Sequence, residues 1–342
     1  MPPRLKDIAA ELGLSVTTVS RALAGYDDVS ERTRQRVRGV AETMGYVPDI
    51  TAQRLRQQRT NVIGFILPTL GPRFSDPFFS ELLAGIGDEA GRRGYDLLIS
   101  TAAPGPAEID LYRRKVLSRR ADGIIVVRIR REDARIKFLL EHDMPFVAFG
   151  HTEKDLGFPW VDVDGAKGVA MAVEHLVNLG HSDIAYFGAP SSLMFGYLRL
   201  RAFRQALENY GLVASDEWLL TGDLTQRSGH QLGQHVLDMP RRPTAIIAAN
   251  DLMALGAMAA AQQRGLQVGS DLSIVGFDDI PPAEHAHPSL TTVHQPIYQI
   301  ATRITAMLIQ ILNGEDLEER QVLLAPKFVI RQSTGSMVPA FA

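Results

Sequence analysis

Cysteine is absent from the 342 residues, which excludes disulfides, thiolate zinc sites and a cysteine nucleophile. Long apolar runs are absent as well. The most hydrophobic stretch, LMALGAMAAA at 252–261, falls far short of the roughly 20 residues a membrane-spanning helix needs. The opening MPPRLKDIAAEL interrupts its apolar residues with charges, unlike the core of a signal peptide. There is no G-x-x-x-x-G-K-[S/T] phosphate loop, no G-x-S-x-G elbow and no H-E-x-x-H zinc helix. These absences predict a cytoplasmic protein with no membrane partner, no cofactor and no metal, and they argue against an enzyme.

What is present is apolar bulk and an uneven charge. At 45% hydrophobic residues the chain can bury sizeable cores in two or three domains. The first 59 residues carry ten Lys and Arg against seven Asp and Glu, and the remainder carries 26 against 32. A basic head on an acidic body suits a head that meets a polyanion.

The pattern inside the head sharpens this. Leu5, Ile8, Ala9 and Leu12 recur at helical spacing on one face, and Gly13 supplies a stop. Ser15 can cap a second helix with Val19, Ala22 and Leu23 inward, ended by Gly25. Ser30 can cap a third, with Val37, Val40, Ala41 and Met44 inward and Gly45 beyond. Two short helices joined by a tight turn and braced by a third form a helix-turn-helix unit. The second helix would leave Val16, Thr17, Thr18, Ser20 and Arg21 unburied. Short side chains let a backbone approach DNA, hydroxyls bond phosphates or base edges, Val touches a thymine methyl, and Arg grips guanine bidentately.

The continuation is YVPDITAQRLRQQRTNVIGFILP. The succession LKDIAAELGLSVTTVSRALAG, VSERTRQRVRGVAETMGYVPD and AQRL resembles the lactose-repressor family of bacterial transcription regulators, specifically over residues 4–59 and more loosely to about 331. The resemblance implies a recognition helix in the major groove, with Val16, Thr17 and Arg21 at base-reading positions and Thr18 and Ser20 at phosphate-contacting ones. It also implies a hinge helix after Pro48 that pushes Leu55 into the minor groove. Where the family carries Ala-Arg, this chain has Ala52-Gln53 followed by Arg54. The expected DNA-contacting set is therefore Leu5, Ser15, Val16, Thr17, Thr18, Ser20, Arg21, Ser30, Arg54 and Leu55, acting on a pseudo-palindromic double-stranded operator through a homodimer.

From residue 61 short apolar strands alternate with amphipathic helices. NVIGFIL, YDLLIST, GIIVVR and FVAFG form one series; WVDVD, IAYFGA, EWLLTG, AIIAAN and LSIVGF form a second. Two such series predict an α/β fold with two doubly wound lobes, the periplasmic-binding-protein-like architecture that the resemblance also implies. The expected division is a head over 1–48, a hinge over 49–60, a first lobe over 61–158 plus about 290–316, a second lobe over 159–289 plus about 317–331, and a tail over 332–342.

Ligands in such folds sit at the carboxyl ends of strands, here in the cleft between lobes. The candidate effector contacts are Phe78 and Phe79 in DPFF, His151 after the fourth strand, Trp160 at the lobe crossing, and Arg199, Asn250 and Asp278. The last three match effector-contacting positions of the family. Asn, Asp and Arg together meet vicinal hydroxyls, so a sugar or glycoside is the first expectation; a purine-like ligand stacked on Phe79 is the alternative. Each polar residue has a structural reading too, as a helix cap or in an interlobe ion pair, and Asn250 ahead of LMALG is the readiest cap. AGIGDEAG at 84–91 reads as a close-packing helix surface, not a dinucleotide loop. His285 and His287 read as solvated loop residues, and SRR at 118–120 and RIRRED at 128–133 as exposed charges.

Overall fold

The computed structural model describes residues 3–46, 59–69 and 76–337. The chain forms two compact units, Met1–Thr60 and Asn61–Ala342. In the first, α1 (Leu5–Leu12), α2 (Val16–Ala24) and α3 (Glu31–Thr43) pack around Ile8, Val19, Ala22, Val29, Val37 and Ala41. The helix ends are set by local chemistry. Ser15 accepts the Thr18 amide at 3.0 Å and Ser30 the Thr33 amide at 3.3 Å, meeting backbone donors that a helix start leaves unpaired. Gly13 and Gly25 close α1 and α2 at φ 64° and 79°, a region costly for other residues. Met44 does not point inward; it is exposed, and Tyr46 packs against the head core beyond it.

The second unit holds two six-stranded sheets. The first contains β1 (Val62–Pro68), β2 (Asp96–Ala102), β3 (Gly123–Val126), β4 (Phe146–Phe149), β5 (Trp160–Val163) and β11 (Gln321–Leu324), in the order β11-β5-β4-β3-β1-β2. The second contains β6 (Ile184–Gly188), β7 (Leu219–Thr221), β8 (Ala245–Ala248), β9 (Ser273–Asp278), β10 (Thr291–His294) and β12 (Lys327–Val329), in the order β12-β10-β9-β8-β6-β7. All neighbours are parallel except β10 and β12. The helices α4 (Pro77–Arg92), α5 (Pro106–Leu117) and α6 (Ala134–Glu141) cover the first sheet; α7 (Gly165–Asn178), α8 (Met194–Asn209), α9 (Gln226–Leu237), α10 (Asp251–Gln263) and the short α11 (Pro281–His285) belong to the second. The long α12 (Ile297–Leu312) returns to the first, burying Ile300, Ile304 and Leu308 in its core. Gly85 of α4 meets α12 so closely that a Cβ there would lie 2.6 Å from that of Ala301, which makes AGIGDEAG the close-packing surface its sequence suggests.

Several expected boundaries are corrected. Trp160–Val163 does not open the second lobe: it hydrogen-bonds to β4 and β11 and completes the first sheet. Residues 291–294 belong to the second sheet beside β9, and only α12 returns to the first. The segment after 317 divides, β11 joining the first sheet and β12 the second. Within the expected tail, residues 332–337 pack against the second lobe. Ser333 is fully buried, accepting the Thr291 amide at 2.8 Å and donating to the Ile274 carbonyl at 2.6 Å.

Candidate functional site

The head presents one polar face on α2. Val16 is 46% exposed, Thr17 is exposed, and the Thr18 hydroxyl lies 2.8 Å from that of Ser15. Arg21 extends into solvent and pairs with Asp28 at 2.6 Å. Ser20 is corrected: it is buried beside the core positions Val19 and Ala22 of α2 and is not on the open face. Leu5 is half-buried against the head core. Ser30 serves α3 as its cap. Arg54 and Leu55 lie outside the described residues. The exposed set is thus a short apolar and hydroxyl surface with one cation, whose charge is partly met by its own carboxylate neighbour.

In the second unit the carboxyl ends of both sheets face a common cavity of about 660 Å³, its open mouth included. The first lobe contributes Asp76 and Phe78 from the start of α4, Arg128 after β3, Phe149 at the end of β4, and Asp162 from β5. The second contributes Phe195 and Arg199 from α8, Asn250 after β8, Asp278 at the end of β9, and Gln295 after β10. Each wall therefore carries an acid, a guanidinium and a phenyl ring. Phe78 and Phe149 stack with centroids 5.9 Å apart.

Among the sequence-predicted residues, Phe78, Arg199, Asn250 and Asp278 line this cavity. Phe79 is corrected: one position on around the helix, it points into the first-lobe core at 1% exposure, edge-on to Phe78. His151 and Trp160 are also corrected. They pack on each other at 5.0 Å behind the wall, and the His151 ring bonds Asp162, which faces the cavity, at 2.9 Å. Asn250 keeps its structural duties, accepting the Met253 amide to cap α10 and donating to the Leu224 carbonyl at 3.0 Å. Arg199 is buried between Phe195 and Phe277, 3.4 Å from the latter's ring centroid, and donates to the Ala249 carbonyl at 2.8 Å. Arg199 and Asp278 face each other electrostatically, but Asp278 takes its hydrogen bond from Gln295 at 2.6 Å.

Sequence reasoning missed Asp76, Arg128, Phe149, Asp162, Phe195 and Gln295. Asp76 stood in the quoted DPFF, where an Asp-Pro pair ahead of a helix signals a cap; it accepts the Phe78 amide at 3.1 Å. Arg128 was hidden in RIRRED. Those charges are not a solvated run: Asp133 and Arg135 are buried with Glu108, and Arg130 reaches Glu108 at 2.5 Å. Arg128 itself holds φ 51°, unusual for a non-glycine residue, while its carbonyl accepts Arg135 at 3.0 Å. Its guanidinium lies 3.4 Å from Asp76 and over the Phe79 ring.

Burial dominates the electrostatics. Asp278 is pushed up to about 7 by loss of solvent, against the lowering pull of Arg199 and Arg128. Burial also raises Asp76, opposed by Arg128, and raises Asp251 well above the carboxylate range, helped by the Asp278 charge. Loss of solvent lowers both Arg128 and Arg199, partly offset by Asp76 and Asp278. An arrangement of crowded acids with two facing guanidiniums fits a neutral ligand rich in hydroxyls, which can donate to the carboxylates and accept from the cations. An added phosphate would face three carboxylates.

Comparison with known proteins agrees with this geometry. The chain matches the model for bacterial regulatory proteins, lacI family, over residues 4–49 and that for the periplasmic binding protein-like domain over residues 173–334. It is 35% identical to the HTH-type transcriptional regulator AglR of Rhizobium meliloti (strain 1021), with 98% of this chain and 95% of that one covered. It is 32% identical to the HTH-type transcriptional repressor CytR of Escherichia coli (strain K12), with 97% and 96% covered. Among solved structures, the lac repressor dimer bound to operator and the anti-inducer ONPF superposes with TM-score 0.85 at 28% identity, over 98% of this chain and all of that one. The complex of the transcriptional regulator CelR with cellobiose gives 0.74 at 29% identity, over 97% and 99%.

Proposed function

Since this chain belongs to the lacI family of bacterial regulatory proteins, it is a DNA-binding transcriptional regulator and not an enzyme, and we propose that a neutral sugar or glycoside held between its lobes controls its grip on an operator. The observation that carries this reading is the cavity at the facing strand ends, where each lobe supplies an acid, a guanidinium and a ring. Phe78 and Phe149 offer apolar faces to the C–H side of a pyranose; Asp278, Asp76 and Asp162 accept from its hydroxyls, and Arg128 and Arg199 donate. Asn250, with both groups already bonded, retains one amide hydrogen for a ligand.

The head supplies the other half. Val16, Thr17 and Arg21 face the major groove, Thr18 and Ser15 sit near phosphates, and a homodimer places two heads on a pseudo-palindrome. Repression follows from occupancy of the operator, and the work is done in the cytoplasm, where DNA and effector meet. A ligand held between the lobes changes how tightly the paired heads hold the operator. Selection of binding sites from random DNA, followed by calorimetry with neutral saccharides, sugar phosphates and nucleosides, tests the reading. A heat signal for a neutral saccharide that also shifts operator affinity supports it. Binding of a sugar phosphate or nucleoside alone replaces the effector class and leaves the regulator.

A further inference from the structure

At one edge of the cavity, where Ile129 and Met194 line it, the two lobes are joined by main chain. The Met194 amide of α8 donates to the Ile129 carbonyl at 2.9 Å, and the Arg131 amide donates to the Ser192 carbonyl at 3.0 Å. Between these bonds Arg130 and Leu193 pair as an antiparallel bridge. A two-stranded contact thus crosses from the loop after β3 in the first lobe to the loop before α8 in the second. Main-chain pairing this short is weak in water on its own, so something must hold the loops in register.

On the first-lobe side the anchor is the buried ion cluster. Asp133 accepts the Arg130 amide at 3.0 Å, Arg135 holds Glu108 at 2.7 Å, and the same Arg135 donates to the Arg128 carbonyl. The loop is thereby fixed to its own lobe from 128 to 133. On the second-lobe side one side chain reaches across. Arg131 lies with its guanidinium carbon 3.9 Å from the ring centroid of Tyr197 on α8, and Glu153 of the first lobe grips the opposite edge of that guanidinium at 3.0 and 2.9 Å. Glu153 is locked to the same loop, its amide donating to the Arg131 carbonyl at 3.2 Å. A guanidinium oriented by a bidentate carboxylate has little freedom left to lose when it settles on a ring, which turns a modest cation–π contact into a defined one. Arg131 does not line the cavity and lies in a different unit from the head.

We propose that Arg131 is a lobe-positioning residue: carried by Glu153 and seated on Tyr197, it latches the main-chain bridge between Ile129–Arg131 and Ser192–Met194 and sets how often the lobes part. The latch stands on this geometry alone. Its consequence for the operator rests on the regulator reading above, and the test below is independent of that reading.

The reporter is the Met194 amide, which exchanges with solvent only when the bridge opens. Hydrogen exchange is followed on the full-length protein without DNA or effector, with the Ile66 and Ile247 amides inside the two sheets as references. Arg131→Ala and Tyr197→Leu should each speed exchange at Met194 by about 2- to 5-fold, the span for a cation–π pair at a solvated site. The references should keep their rates. Arg131→Lys, which keeps charge but not the bidentate grip, should fall between wild type and Arg131→Ala. Combining Arg131→Ala with Tyr197→Leu should add little to either, since both remove one contact. Unchanged Met194 exchange in both single variants overturns the proposal. So does a uniform acceleration of Met194 and reference amides, which would mean that Arg131 supports the fold at large and not the junction of the lobes.

Discussion

Gln295 donates a 2.6 Å hydrogen bond to Asp278, joining the loop after β10 to the end of β9 at the floor of the second-lobe wall. One bond from a neutral amide does not restore the hydration that Asp278 loses on burial, and its carboxyl is pushed up to about 7. A group whose folded value lies above its unfolded one binds more protons in the fold. Stability therefore falls as pH rises from about 4 to about 7 and levels off above. Asp278→Asn keeps an oxygen for Gln295 and removes the buried charge. It should raise the melting temperature at pH 8 and leave it near wild type at pH 4.5, the difference amounting to at most about 4 kcal/mol. Thermal melts at the two pH values check this. A variant less stable than wild type at pH 8 would mean that the Arg199 attraction outweighs the cost of burial.

Adjacent phenylalanines give a second test. Phe79 is core and Phe78 lines the cavity. Phe79→Ala should cost about 3–5 kcal/mol in urea unfolding, whereas Phe78→Ala should cost less and instead weaken saccharide binding. Equal destabilisation by both would remove Phe78 from the ligand wall.

On the head, the 2.6 Å pair between Arg21 and Asp28 must be exchanged for DNA contacts when Arg21 enters a groove. Arg21→Ala should cost about 1–3 kcal/mol per half-site and relax preference at one base position. Asp28→Ala should tighten binding to all sequences, since it frees the cation and removes a negative charge facing phosphate. Anisotropy titrations from low to moderate salt should show affinity falling steeply as counterions are released; a flat dependence excludes phosphate contacts.

The limits of sequence reading can be seen in the same residues. Helix caps such as Ser15 and Ser30 and the strand alternation are local signals, and they fold where the pattern says. Which sheet takes a strand is not local: WVDV at 160–163 reads the same in either lobe, and only its pairing with β4 and β11 decides. Phe78 and Phe79 differ by one helical step, about 100°, which no composition argument resolves without knowing the helix's azimuth. RIRRED looked like a solvated charge run because its buried partner Glu108 lies 22 residues before Arg130. Asn250 and Asp278 could be placed because strand ends converge on the cleft, and Arg199 through the family resemblance; the Asn250 cap was legible in the sequence, while the bonds of Arg199 to Ala249 and of Asp278 to Gln295 became visible only with the fold.

The two guanidiniums of the cavity should behave differently when removed. Arg199 is buried, donates to the Ala249 carbonyl and fills the space between Phe195 and Phe277. Arg199→Ala leaves a carbonyl unpaired and a gap beside two rings, and should cost about 2–4 kcal/mol of stability as well as ligand affinity. Arg128 has one long ion pair, 3.4 Å to Asp76, and rests on the Phe79 ring, while its loop is held through its carbonyl by Arg135. Arg128→Ala should therefore unfold within about 1 kcal/mol of wild type. Its loss should appear in ligand binding, tenfold or more for a donor to a ligand oxygen, at about 1.4 kcal/mol per decade. Urea unfolding and calorimetry on both variants separate the two outcomes. If Arg128→Ala loses stability as Arg199→Ala does and binds its saccharide undiminished, Arg128 is a strut between the lobes and not a ligand contact.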